Sequence, residues 1–132
     1  MNEKNAADLK VLIVDDSDFS RSLINQMLKE AGFQVVGEAN GAEVALQLIK
    51  EKKPDVVITD IVMPEVSGIE LTEKINQAYD HISVIVVSSL SQEHIVLEAI
   101  GAGASDFIPK PIQKQQLVDS LEKILSNMNK GH

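Results

Sequence analysis

The sequence predicts an α/β fold in which five short strands alternate with five amphipathic helices, giving a parallel sheet covered on both faces. Two observations carry this. Five apolar runs recur at regular spacing: "KVLIVD" (10–15), "FQVVGE" (33–38), "DVVITD" (55–60), "ISVIVVS" (82–88) and "DFIP" (106–109). Three of them are continuous and rich in Val and Ile, the habit of strands buried on both faces. Between the runs, apolar residues recur at helical spacing. A parallel strand needs a crossover of helix length, and such crossovers are right-handed.

The elements follow in order. After the first run, Ser17 starts a helix carrying Leu23, Ile24, Met27, Leu28 and Ala31, and Gly32 stops it. After the second, a helix starts past Asn40 with Glu43 in its first turn and Val44, Ala45, Leu48 and Ile49 on its apolar face. After the third, Ser67 and Glu70 form an S-x-x-E capping box ahead of Leu71 and Ile75. After the fourth, a helix begins around Ser91, shows Ile95, Val96, Ala99 and Ile100, and closes at Gly101 or Gly103. The last helix carries Leu117, Leu121, Ile124, Leu125 and Met128. One domain spans residues 9–128, with short flexible tails at 1–8 and 129–132.

Composition narrows the function. The 132 residues include 12 basic and 20 acidic side chains, a formal charge of −8. That balance disfavours nucleic acid and anionic membranes, which call for basic patches, and favours a cation or a basic protein face. There is no cysteine, so no disulfide or thiolate chemistry. "MNEKNAADLK" has no apolar signal-peptide core. No apolar run approaches the roughly 18 residues of a membrane span. The expectation is a soluble, cytoplasmic protein.

In a parallel α/β sheet, ligands bind outside the carboxyl ends of the strands. Asp15 and Asp16 end the first run, Asp60 the third and Ser88 the fourth, and Lys110 follows the fifth. Taken alone, Asp15 and Asp16 also suit a helix N-terminus. With Asp60 at the same edge, three carboxylates need a counter-ion, and a hard divalent cation supplies one. Asp60 could then serve as a nucleophilic carboxylate that forms an acyl phosphate, with Ser88 and Lys110 binding phosphoryl oxygens. Ser88 also suits a plain strand end, and Lys110 a solvated surface. The "PKP" at 109–111, however, restricts the lysine backbone. His81, His94 and His132 lack ligand spacing and read as surface residues. Tyr79 reads as surface or partly packed.

The set "VLIVDDS", "VVITDIVMPEVSGIEL", "VIVVSS" and "GAGASDFIPKP" resembles the response-regulator receiver domain of two-component signalling over about residues 9–128. The resemblance implies a doubly wound, flavodoxin-like (β/α)5 fold with strand order 2-1-3-4-5. It implies Asp60 as phosphoacceptor, Asp16 as a direct Mg²⁺ (or Mn²⁺) ligand, Asp15 as an acid holding the metal largely through water, and the Val62 backbone carbonyl as a further ligand. Ser88 matches the switch hydroxyl and Lys110 the phosphoryl-binding lysine. A cis peptide is implied at Lys110–Pro111. Phe107 matches a switch aromatic that is often Tyr; here it has no phenol hydroxyl.

The implied mechanism is Mg²⁺-dependent phosphoryl transfer to Asp60 from a phosphohistidine of a sensor histidine kinase or phosphotransfer protein. Ser88 and Lys110 would move towards the phosphoryl group and Phe107 would turn inward. The face of helix four, strand five and helix five would then change its contacts with an output protein. His94, Leu97, Gln115 and Val118 are expected on that face. Val62 and Leu90 flank the phosphoryl pocket in this family. Both are apolar here, which predicts slow loss of the phosphoryl group. A single-domain regulator of chemotaxis type or a phosphorelay member is expected, as a monomer or a phosphorylation-dependent dimer. "VVSSL" with "DFIPKP" also resembles receiver modules of chemotaxis methylesterases.

Three other readings fit the residues less well. A haloacid-dehalogenase-like phosphatase also uses a strand-end Asp with Mg²⁺, but needs D-x-D, and Val62 stands at that second position. A receiver-like binding module that is never phosphorylated would normally lose part of the acid, hydroxyl and lysine set, which is complete here. A dinucleotide site is disfavoured because "DDS" replaces the glycine-rich turn.

Overall fold

The computed structural model describes residues 3–130. The elements are β1 (Lys10–Val14), α1 (Asp18–Glu30), β2 (Gln34–Ala39), α2 (Ala42–Lys52), β3 (Val56–Asp60), α3 (Gly68–Ala78), β4 (Ser83–Ser88), α4 (Glu93–Gly101), β5 (Asp106–Pro109) and α5 (Lys114–Lys130). All strand pairs are parallel, in the order β2-β1-β3-β4-β5. The doubly wound sheet is therefore the one the sequence and its resemblance predict.

Strand alternation divides the core into two layers. Val11 and Ile13 of β1, Val56 and Ile58 of β3, and Ile85 and Val87 of β4 join Ile24 and Leu28 of α1 and Leu117, Leu121 and Ile124 of α5. Leu12 and Val14, Val57, and Val84 and Val86 face the other way, onto Ala45 and Ile49 of α2, Leu71 and Ile75 of α3 and Ala99 of α4. Burial on both faces explains why these strands read as unbroken apolar runs. Each fully buried Leu or Ile among them contributes about 1.5–3 kcal/mol.

Helix ends follow their caps. The Ser17 hydroxyl accepts from Ser20 N, and that of Ser67 from Glu70 N. Gly32 takes φ 86° and Gly103 φ 110°. Beside them, Phe33 N donates to Leu28 O at 2.9 Å and Ala104 N to Ala99 O at 3.1 Å. Both ends are Schellman closures, in which a left-handed residue lets the chain turn back on the last carbonyls.

Two starts differ from the sequence reading. The N-cap of α2 is Gly41 rather than Asn40, and that of α4 is Gln92 rather than Ser91. Neither makes a side-chain capping bond, so neither left a capping signal to read.

Near both ends, the described residues are hydrogen-bonded to one another. Ala6–Asp8 form a short 3-10 helix capped by Asn5, and α5 runs to Lys130. Lys4 N donates to Asn129 Oδ1, and Asn129 Nδ2 donates to Lys4 O, both at 3.0 Å. Asp55 accepts from Lys10 N at 2.9 Å and from Lys4 Nζ at 3.3 Å. His132 lies outside the described residues. No helix among them is long and apolar enough to cross a membrane.

The packing of α4 differs from that of the other helices. Ala99 is its one buried residue; Leu97 is 62% and Ile100 46% exposed. Ile100, one of the apolar set at helical spacing, is thus largely open to solvent. His94 and Gln115 are exposed. Val118, expected on the open surface, is instead half-buried against the α1–α5 layer. A partly apolar helix face covers its own edge positions, and Val118 sits beside fully buried Leu117 and Leu121. His81 is exposed, and Tyr79 is half-buried against the other layer.

Candidate functional site

The carboxyl ends of β1, β3, β4 and β5 bring Asp15, Asp16, Asp60, Ser88 and Lys110 to one edge of the sheet. Asp15 directly follows β1. Its backbone N–H donates to Ala39 O at 3.0 Å, extending the β1–β2 pairing by one residue. Its Oδ1 accepts from Ser17 N at 2.9 Å and its Oδ2 from Lys110 Nζ at 2.9 Å. With 1% exposure, this is a buried carboxylate whose two oxygens are both bonded. Asp16 is exposed, and its carboxylate makes no hydrogen bond among the described residues.

Asp60 is the last residue of β3, in register with Val87 of β4. Its Oδ1 accepts from Ile61 N at 2.8 Å, and its Oδ2 lies 3.4 Å from Lys110 Nζ. Its carbonyl accepts from the buried Thr59 hydroxyl at 2.9 Å. The following loop folds back so tightly that a Cβ on Gly68 would stand 1.8 Å from the Asp60 carbonyl oxygen. Gly68 N in turn donates to Ile61 O at 2.8 Å. A glycine is therefore required where α3 begins, and it fixes the path of the chain after Asp60.

Lys110 reaches the acids from the loop after β5. Its backbone N–H donates to Ser88 O at 2.9 Å, and its peptide bond to Pro111 is cis. Burial works to lower the Lys110 pKa. The hydrogen bond to Asp15 and the charges of Asp60 and Asp15 outweigh burial and hold the pKa above its ordinary value. For Asp60, burial and the Asp15 charge prevail over the Lys110 charge and the Ile61 N–H, so its pKa is raised. One lysine does not neutralise three acids.

Carboxylate oxygens of Asp15, Asp16 and Asp60 can be chosen that all lie within 4.8 Å of one another. Hard oxygen donors clustered beside an under-neutralised carboxylate fit a small divalent cation such as Mg²⁺. The Ser88 side chain is fully buried, and its Oγ accepts from Leu90 N at 3.0 Å. Val62 is exposed and Leu90 half-buried. Phe107 is half-buried against the layer containing α2, α3 and α4.

Four residues of this region escaped the sequence reading. Ser20 places its Oγ 3.5 Å from Lys110 Nζ, at the limit of a hydrogen bond. Thr59 and Gly68 shape the backbone around Asp60, and Arg21 donates to the Asp15 carbonyl. For Ser20, the available signal was its place in the first turn of a helix that starts beside the acids.

The family model of the response regulator receiver domain matches residues 11–122. The chain belongs to the response regulator receiver domain family. This receiver domain is 43% identical to the chemotaxis protein CheY of Thermotoga maritima over 87% of the chain and 96% of that protein. It is 40% identical to CheY of Bacillus subtilis over 89% of the chain and 98% of that protein.

Among solved structures, it resembles a chain of the CheX–CheY–BeF3–Mg complex from Borrelia burgdorferi, with TM-score 0.84 and 30% identity over 88% of each chain. The response regulator domain of Thermotoga maritima CheB matches with TM-score 0.77 and 39% identity, over 92% of this chain and 96% of that one. The receiver domain is thus of CheY type, a signalling domain of two-component systems rather than a metabolic enzyme.

Proposed function

We propose that this receiver domain accepts a phosphoryl group on Asp60 from a phosphohistidine of a sensor histidine kinase or phosphotransfer protein, in an Mg²⁺-dependent reaction. The observation that carries this reading is the meeting of Asp15, Asp16 and Asp60 within 4.8 Å, with Lys110 Nζ 2.9 Å from Asp15 and 3.4 Å from Asp60. Asp15, Asp16 and Asp60, with the Val62 carbonyl, would hold the cation. Its chemistry is to offset negative charge on the carboxylates and the incoming phosphoryl oxygens.

An Asp60 carboxylate oxygen attacks phosphorus as the phosphorus–nitrogen bond breaks. The imidazole leaves neutral, keeping the proton on its other nitrogen. Lys110, held protonated beside two acids, stabilises the negative oxygens without giving up a proton. Ser88 supplies a hydroxyl at the end of β4, and Phe107 lies two strand positions before Pro109, which pairs with Ser88.

Movement of Ser88 and Phe107 would alter the face of α4, β5 and α5, where His94, Leu97 and Gln115 are exposed. The output is contact with another protein on that face, in a chemotaxis-type pathway or a phosphorelay. Exposed Val62 and half-buried Leu90 offer no polar group to orient a hydrolytic water, which supports a long-lived acyl phosphate.

The test is incubation with acetyl phosphate and Mg²⁺ followed by mass measurement. The expected result is a gain of one phosphoryl group, stable in acid, labile to hydroxylamine and lost in Asp60→Asn. No gain in the wild type, or a gain that survives the substitution, overturns the reading.

A further inference from the structure

The guanidinium of Arg21 connects three elements beside the acid cluster. Nη1 donates to the Asp15 carbonyl at 2.6 Å, and Nε donates to Glu38 Oε1 at 3.3 Å. Nη2 donates to Asp18 Oδ1. Glu38 lies on β2, and its Oε2 accepts from Asn25 Nδ2 at 2.6 Å. Asn25 is turned to serve Glu38 although its own Oδ1 is buried with no protein partner. The Arg21 side chain is 15% exposed, unlike a solvated surface arginine.

The bond to the Asp15 carbonyl has a geometric consequence. That carbonyl belongs to the peptide unit leading into Asp16, and a peptide unit is planar. Fixing the oxygen therefore fixes the nitrogen and Cα of Asp16. The other side of Asp15 is already fixed by its N–H bond to Ala39 O at 3.0 Å. The Asp16 carboxylate has no hydrogen bond of its own among the described residues, so the peptide that places its Cα is the constraint the protein puts on where this side chain is rooted.

We propose that Arg21, braced by Glu38, is a positioning residue for the divalent cation site, orienting the Asp15–Asp16 peptide so that the Asp16 carboxylate faces Asp15 and Asp60. The inference rests on the cation site of the proposed function. Asp18 and Glu38 balance the guanidinium charge, so the brace orients the acids without placing an uncompensated positive charge beside the cation.

Charge and geometry predict opposite signs here. Removing a positive charge near a cation site should tighten cation binding, whereas removing a positioning bond should weaken it. An ion pair that only supports the fold should leave cation affinity unchanged.

The experiment is calorimetric titration of Mg²⁺ into the full chain, with melting temperatures recorded in parallel without Mg²⁺. Arg21→Ala is expected to weaken Mg²⁺ binding about 10- to 100-fold, the usual effect of losing a group that orients a metal ligand. Arg21→Lys should weaken it in the same direction, because an ammonium cannot donate to Asp15 and Glu38 in a fixed fork. Glu38→Gln should do so to a smaller extent. Lys4→Ala, which removes the distant pair with Asp55, should leave Mg²⁺ affinity unchanged even where it lowers the melting temperature. Phosphorylation by acetyl phosphate in the Arg21 variants should need more Mg²⁺ but approach the wild-type rate at saturation.

If Arg21→Ala fails to fold, Arg21→Lys decides the question, because it keeps the charge and removes only the fixed fork. Unchanged or tighter Mg²⁺ binding in the folded Arg21 and Glu38 variants overturns the positioning role while leaving the proposed function standing. A wild type that takes no Mg²⁺ overturns the cation reading itself, and this inference with it.

Discussion

Lys110 Nζ lies 2.9 Å from Asp15 Oδ2 and 3.4 Å from Asp60 Oδ2, so the lysine is bonded more closely to the buried acid than to the acid at the strand end. Asp15 therefore has a structural duty that exposed Asp16 lacks. Without divalent cations, Asp15→Asn should destabilise the fold by about 1–3 kcal/mol, because Lys110 loses a charged partner and the site loses a bonded oxygen. Asp16→Asn should stay within about 0.5 kcal/mol. Urea denaturation of both variants measures the difference. Both should lose Mg²⁺ affinity, which separates the shared duty from the one Asp15 performs alone.

The raised pKa of Asp60 gives a pH dependence with a definite sign. The folded state holds this proton more tightly than the unfolded chain, whose carboxyl has the ordinary value of 3.8. Well below 3.8 the group is protonated in both states and contributes nothing. As pH rises from there through the folded-state pKa, ionisation destabilises the fold. In cation-free buffer at pH 7, Asp60→Asn should therefore melt higher than the wild type, with the gap closing in acid. Saturating Mg²⁺ should reverse the order, since binding stabilises the protein that binds it. Thermal melts across pH, with and without Mg²⁺, check both signs.

Two glycines give opposite predictions. Gly68→Ala would drive a Cβ into the Asp60 carbonyl, whereas a Cβ at Gly101, the last residue of α4, meets nothing within 4 Å. Gly68→Ala should cost about 3 kcal/mol or more. Gly101→Ala should stabilise by about 0.5–1 kcal/mol, the usual gain from restricting a helical glycine. Equal effects in chemical denaturation would show that the loop after Asp60 yields more easily than its geometry implies.

In the proposed phosphorylation of Asp60, the lifetime of the acyl phosphate is a separate matter from its formation. Val62→Asn places an amide beside the Asp60 pocket and should shorten the lifetime of phospho-Asp60 at fixed Mg²⁺. Quench-flow or mass measurement of its decay reads this directly. An unchanged lifetime would show that position 62 does not govern hydrolysis.

Much of this architecture is legible in the sequence, for identifiable reasons. Strands buried on both faces leave unbroken Val and Ile runs, and each run ends in the polar residue that lies at the sheet edge. Ser17 and Ser67 announce their helices because their hydroxyls make the capping bonds. Gly41 and Gln92 make no such bond, so the sequence pattern places the starts of α2 and α4 one residue early. The strand order was not legible from periodicity, because parallel neighbours are chosen by crossovers that leave no local pattern. It came from the family resemblance. Arg21 leaves no local signal for a related reason: its link to Glu38, 17 residues further along the chain, exists only because β2 lies beside β1.

The sparse burial of α4 has a consequence for time rather than for structure. With Ala99 as its one buried side chain and no side-chain bond at its start, this helix can open while the sheet remains closed. Its amide hydrogens should exchange with solvent deuterons far sooner than those of β1, β3 and β4, which need the whole molecule to unfold. The protein would then have a fast flank and a slow centre, and a signal that reorganises α4 need not disturb the clock of the core.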